Sequence, residues 1–173
     1  MKHQVPLNRL SESRYSQNPV LLEQIQKVID SGFWINGPHQ KAFEANLARS
    51  LGIKCLQGVA NGSDALEISM RALGINSESC VALAANAGGY ALIAARNIGC
   101  KVIFVDIHLG NGLIDLTDLK NVSNQHHLDL VVLTYLYGNT QNADGVIDYL
   151  KSISIPILED CAQALGSKVG DTY

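Results

Sequence analysis

Residues 81–106 read VALAANAGGYALIAARNIGCKVIFVD. Val81 to Ala84 is a short, uninterrupted apolar run of strand length. Asn86-Ala87-Gly88-Gly89 breaks it, and the segment after Gly88 returns to helical spacing as far as Asn97. Gly99 then punctuates the chain before Lys101 to Asp106, KVIFVD, whose four inner residues are β-branched or aromatic. Two continuous apolar strands with a helix between them cannot be a hairpin. They predict a parallel pair, buried on both faces and joined by a right-handed crossover.

The same alternation extends in both directions. Downstream, a weak helix is expected near Thr117 to Lys120, a strand over Leu130 to Tyr135, a helix over Ala143 to Ser152 and a strand over Ile155 to Leu158. Upstream, Ser63 to Leu73 is helical through Leu66, Met70 and Leu73, and Ile53 to Val59 has the length and apolarity of a strand. Two further helices precede it. Asn18-Pro19 caps one whose apolar face carries Leu21, Leu22, Ile25, Val28 and Ile29 before Gly32. Phe43, Leu47 and Leu51 mark the other. The fold class is α/β, a mostly parallel sheet with helices on both faces.

Composition narrows the function. The 173 residues are 47% hydrophobic and 17% charged, with a net charge of −3. That is the composition of a packed core, with no Lys/Arg stripe for nucleic acid. The start, Met1 to Pro6, has no apolar run of a secretory signal, and Gly88-Gly89 interrupts the most apolar stretch, so no membrane span is expected. Cys55, Cys80, Cys100 and Cys161 are widely spaced beside apolar runs, which reads as buried free thiols in a reducing cytoplasm.

Ligands of such sheets bind at the carboxyl ends of the strands, and polar clusters fall there. Asn61-Gly62-Ser63-Asp64 opens a helix directly after an apolar run. The free amides of a first helical turn, with the dipole and the Ser63 hydroxyl, suit an anion; an ordinary capped helix has the same residues. Asp160, in Ile157-Leu158-Glu159-Asp160-Cys161-Ala162-Gln163, follows the end of the strand expected over Ile155 to Leu158. A carboxylate at that depth needs a partner, either backbone amides of its own loop or a bound cation such as a protonated pyridine nitrogen. The chain has neither G-x-G-x-x-G nor G-x-x-x-x-G-K-[ST], which argues against a nicotinamide dehydrogenase or a nucleotide hydrolase.

Read together, GVANGSDAL (58–66), VIFVDI (102–107), YLYGN (135–139) and PILEDCAQALGS (156–167) occur in an order and spacing that resemble the DegT/DnrJ/StrS family of nucleotide-sugar aminotransferases. GFWINGPHQKAFE (32–44) resembles the approach to the family's main domain. The resemblance implies a fold-type-I pyridoxal-phosphate transferase large domain, present in part. Residues 1–37 would form an N-terminal helical segment and 38–173 the partial large domain. Gly62, Ser63 and Asp64 would hold the cofactor phosphate, Asp160 would pair with the pyridinium nitrogen, and Gln163 would lie near the ring hydroxyl. The reaction implied moves an amino group, usually from glutamate, onto a nucleotide-linked keto-sugar in polysaccharide or deoxysugar biosynthesis, in a cytoplasmic homodimer.

Two departures qualify that expectation. The family carries an aromatic residue, stacked on the cofactor ring, two places after the position of Asn86, where this chain has Gly88. Tyr90 either supplies the ring from two residues further on or is a core tyrosine with its hydroxyl at the surface. The family's Schiff-base lysine lies beyond the segment matching Val169-Gly170-Asp171, so no catalytic residue is assigned here and the chain by itself is expected to be inactive. A completing carboxyl-terminal polypeptide or a second copy would then be a partner; the alternative is a non-catalytic subunit or split-enzyme half that holds a nucleotide sugar or a full-length partner. The resemblance also leaves the strand at Ile53 to Val59 without a neighbour in this chain.

Overall fold

A computed structural model describes residues 18–170. The first 17 residues, including the Met1–Pro6 start and part of the expected 1–37 segment, lie outside the described residues, as do the last three. The chain forms two compact units, one ending at Gly58 and the other beginning at Val59.

The first unit contains α1 (Pro19–Ser31) and α2 (Pro38–Leu51). Asn18 caps α1, its side chain accepting from the Val20 amide at 3.0 Å, and Gly32 closes it in the left-handed region at φ 70°. No residue of α1 is buried. The run from Ile53 to Val59 is assigned neither helix nor strand, which corrects the expected strand. A strand is held by a neighbour's backbone, and no described strand pairs with this run. Its polar groups turn to α2 instead: the Gly58 amide donates to Glu44 Oε1 at 2.7 Å.

The second unit runs α3 (Gly62–Ala72), β1 (Cys80–Ala84), α4 (Tyr90–Ile98), β2 (Lys101–Val105), α5 (Leu116–Gln125), β3 (Leu130–Thr134), α6 (Ala143–Ser152) and β4 (Ile157–Asp160). The strands form one sheet in the order β2-β1-β3-β4, and every pairing is parallel. Residue parity sorts the side chains onto two faces. Cys80, Ala82 and Ala84 of β1 and Val131 and Leu133 of β3 pack with Leu119 of α5 and with Val146 and Leu150 of α6. Val81, Leu83, Leu130 and Val132 pack the other way, with Leu66 and Met70 of α3 and Ala91, Ala94, Ala95 and Ile98 of α4. Helices on both faces explain why β1 is buried at all five positions.

Two expectations about the cysteines change. Cys80 and Cys100 are buried, whereas Cys55 and Cys161 are exposed. Cys55 sits in the run that forms no strand, and Cys161 follows the end of β4, which stands at one edge of the sheet.

Candidate cofactor site

The carboxyl ends of the four strands share one rim, and four connections decorate it. The last two are stitched together. At the end of β3, the Tyr135 amide donates to the Asp160 carbonyl at 3.1 Å, and the Tyr135 hydroxyl donates to Glu159 Oε1 at 2.6 Å. Burial, with Glu159 as hydrogen-bond partner and neighbouring charge, pushes the Tyr135 phenol far above its ordinary range. The Tyr137 amide donates to Gln163 Oε1 at 2.8 Å. Ser167 Oγ donates to the Gly138 carbonyl at 3.3 Å, and Thr140 Oγ1 to the Lys168 carbonyl at 2.7 Å. The loop after β4 is therefore held by the loop after β3.

Alternation along β4 then aims two adjacent carboxylates apart. Leu158 packs on the α3/α4 face and Ile157 on the α5/α6 face, so Asp160 follows Leu158 and Glu159 follows Ile157. Asp160 Oδ1 accepts from the Ala162 amide at 3.1 Å, which leaves Oδ2 for a second donor. Asp160 lines a cleft of about 90 Å³ with Gln163, Ala162, Tyr90, Gly88 and the Thr134–Leu136 turn. A larger cavity of about 420 Å³ lies on the Glu159 side, among Tyr135, Ile147, Lys151, Glu159, Cys161 and Val169. It contains none of the six residues singled out from sequence. There the Cys161 thiol is pushed up by desolvation first, then by the Glu159 and Asp160 carboxylates.

The structure thus brings together Tyr90, Asp160 and Gln163. Tyr90 opens α4 behind the left-handed Gly89, at φ 82°, and is 60% exposed. Its ring lies back over Gly88: a Cβ added there would come 3.2 Å from Cε2 and 3.4 Å from Cδ2. The missing side chain at position 88 and the ring of position 90 occupy neighbouring space. Gly62, Ser63 and Asp64 do not line this cleft. They form the first turn of α3, which packs against β4. Asn61 caps that turn: its Oδ1 accepts from the Asp64 amide at 2.9 Å, and its Nδ2 donates to Asp64 Oδ2 at 3.0 Å. The Asp64 carboxylate is thereby engaged with Asn61, while the Gly62 and Ser63 amides are those that helix geometry leaves without an intrahelical acceptor.

Tyr135 and Tyr137 are positioning groups that sequence reasoning did not single out. Both lie in YLYGN, and nothing in that pattern announces that two of its backbone amides hold Asp160 and Gln163. As a donor–acceptor set, the cleft has an anion at Asp160 and a carboxamide at Gln163 beside an aromatic ring. That set fits a protonated pyridine bearing a hydroxyl.

A parallel α/β sheet with such a set at its carboxyl rim has the donor–acceptor chemistry to suit a charged heteroaromatic ligand. Comparison with known proteins makes the class specific: the chain matches the DegT/DnrJ/EryC1/StrS aminotransferase family over residues 17–173 and belongs to it. It is 30% identical over 148 residues to dTDP-3-amino-3,4,6-trideoxy-alpha-D-glucose transaminase of Micromonospora megalomicea subsp. nigra, covering 86% of this chain and 39% of that one. Its fold is similar to that of DesV from S. venezuelae, solved in complex with a ketimine intermediate, with TM-score 0.77, 27% identity and coverage of 83% and 38%. It is also similar in fold to E. coli GDP-4-keto-6-deoxy-D-mannose-3-dehydratase with bound hydrated PLP, with TM-score 0.81, 24% identity and coverage of 91% and 42%. The fold is that of fold-type-I pyridoxal-phosphate aminotransferases. The chain spans about two fifths of the length of these proteins. Among the described residues, no helix is long and apolar enough to cross a membrane.

Proposed function

We propose that these residues supply the cofactor-holding rim of a pyridoxal-phosphate aminotransferase that acts on a nucleotide-linked keto-sugar, with glutamate as amino donor. The observation that carries the reading is the convergence of Asp160, Gln163 and Tyr90 on one cleft at the ends of parallel strands. When bound, pyridoxal phosphate serves as an electron sink for proton transfer at carbon. Asp160 would hold the ring nitrogen protonated through its free carboxylate oxygen, Gln163 would meet the ring hydroxyl, and Tyr90 would offer a face to the ring. The Gly62 and Ser63 amides and the Ser63 hydroxyl would take the phosphate, helped by the α3 dipole; Asp64 would contribute by fixing the turn through Asn61.

The Schiff-base lysine, which would also serve as proton-transfer base, and most contacts to the sugar are assigned to the part of the relatives' length that this chain does not match. We place the assembly in the cytoplasm as a homodimer, serving polysaccharide or deoxysugar biosynthesis. The test is calorimetric titration of the chain with pyridoxamine 5′-phosphate, which needs no lysine for binding, repeated on Asp160→Ala. Saturable binding that weakens about tenfold or more in the variant is expected, since a hydrogen-bonded charge pair is removed. Equal binding by both proteins would sink the assignment of Asp160.

A further inference from the structure

The turn after β3 is built in an unusual way. Tyr137 has φ 58° and ψ 19°, and Gly138 has φ 74°. Two successive positive φ values, with the Asn139 amide donating to the Leu136 carbonyl at 3.1 Å, make a type I′ turn. Glycine adopts that backbone freely, but a tyrosine does not. Side-chain packing does not explain its choice, because Tyr137 is 91% exposed. What the left-handed backbone does achieve is an aim: the Tyr137 amide meets Gln163 Oε1 at 2.8 Å. Gly138 is close-packed against the same loop, where an added Cβ would come 3.3 Å from the Gln163 carbonyl oxygen.

A backbone N–H can only donate, so its partner must be the carboxamide oxygen, and the orientation of the Gln163 amide follows. We propose that Tyr137 is a positioning residue: its left-handed amide holds Gln163 Oε1 and thereby leaves Gln163 Nε2 as the hydrogen-bond donor offered to the cleft. The inference rests on the cofactor reading above for the identity of the ligand, though not for the geometry. With Nε2 outward, the cleft pairs an acceptor at Asp160 with a donor at Gln163. That combination selects a ring with a protonated nitrogen and an acidic, oxyanion-forming hydroxyl. The flipped carboxamide would turn an oxygen toward that hydroxyl and repel its ionised form.

The experiment uses the full chain labelled with ¹⁵N and ¹³C, its Tyr137→Gly, Tyr137→Val and Gln163→Glu variants, and two probes. Pyridoxamine 5′-phosphate is one; its 3-deoxy analogue, which lacks the ring hydroxyl, is the other. A scalar coupling across the hydrogen bond, from the Tyr137 amide nitrogen to Gln163 Cδ, is expected in the wild type and in Tyr137→Gly. It should vanish in Tyr137→Val, since a β-branched residue disfavours this backbone. Tyr137→Gly should bind pyridoxamine phosphate within about twofold of wild type, while Tyr137→Val and Gln163→Glu lose about tenfold. The deoxy analogue should bind all four alike. The proposal is overturned by a coupling that persists in Tyr137→Val, by a Gly variant as weak as the Val variant, or by Gln163→Glu binding like wild type. Coupling in a wild type that binds neither probe would uphold the positioning and refute the cofactor reading instead.

Discussion

Replacing Tyr135 by phenylalanine removes one hydroxyl and nothing else from the bridge between β3 and β4. The ring is 2% exposed and its hydroxyl donates to Glu159 Oε1 at 2.6 Å, whereas the Tyr135 amide bond to the Asp160 carbonyl does not involve the side chain. A net hydrogen bond to a charged acceptor contributes about 1.5–3 kcal/mol. Glu159 is exposed and can rehydrate, so the lower end, about 1.5 kcal/mol, is the expected loss at pH 7. The loss should shrink in alkali. The folded-state pKa of Tyr135 is raised, by burial first and by Glu159 second, so the stability tied to its protonated form is complete below the unfolded pKa of about 10 and is lost as pH rises toward the folded value. At pH 11, with the unfolded phenol titrated and the folded one still protonated, linkage removes about 1.4 kcal/mol from the wild type and nothing from the variant. Urea unfolding followed by far-UV circular dichroism at pH 7 and pH 11 should therefore show a gap of about 1.5 kcal/mol that almost closes. A gap of the same size at both pH values would refute the linkage argument. A variant as stable as wild type at pH 7 would refute the hydrogen bond's contribution.

Two further substitutions test the rest of the rim. Asn61→Ala removes the cap that accepts from the Asp64 amide and anchors the Asp64 carboxylate; it should cost about 1 kcal/mol in urea unfolding and release hydrogen-exchange protection in the first turn of α3, and unchanged exchange there would count against the cap. Gly88→Phe places a side chain where the Tyr90 ring lies, 3.2 Å from an added Cβ, so nuclear Overhauser contacts between the Tyr90 ring and the Gly88 backbone in the wild type should give way to a displaced ring; absence of those contacts in the wild type would refute the stacked arrangement.

The sheet was legible because each of its four strands pairs with another that the sequence itself supplies, and the two central ones, β1 and β3, are covered on both faces. Val81 to Ala84, Val102 to Val105 and Leu130 to Leu133 are uninterrupted apolar runs, and helical spacing returns between them; a parallel sheet with helices on both faces is the packing that satisfies both signals. Ile53 to Val59 has the same composition, yet it forms no strand. Composition reports the tendency of a segment to be buried, whereas a strand exists only where another backbone meets it. Helix ends shifted for a similar reason. The weak helix expected near Thr117 to Lys120 extends over Leu116–Gln125, because Asp115 caps it by accepting from the Thr117 and Asp118 amides and Leu119 is fully buried against the sheet.

At the site, what could be read was residue type at a topological address; what could not be read was orientation. Asp160 is named by its place at the end of a parallel strand and Gln163 by the family resemblance of PILEDCAQALGS, and alternation along β4 is enough to separate the aims of Glu159 and Asp160. No local rule turns the Gln163 carboxamide, because the group that turns it, the Tyr137 amide, is 26 residues away. That amide is aimed only because residue 137 holds a left-handed backbone, and tyrosine carries no propensity for such a conformation. The hydrogen-bond polarity of the cleft is thus set by a contact between two loops that meet only after β3 and β4 have paired. Sheet pairing is in this sense a precondition of ligand selectivity: a substitution that loosens the Tyr135–Asp160 stitch should free the Gln163 amide to flip without altering any residue that touches the ligand.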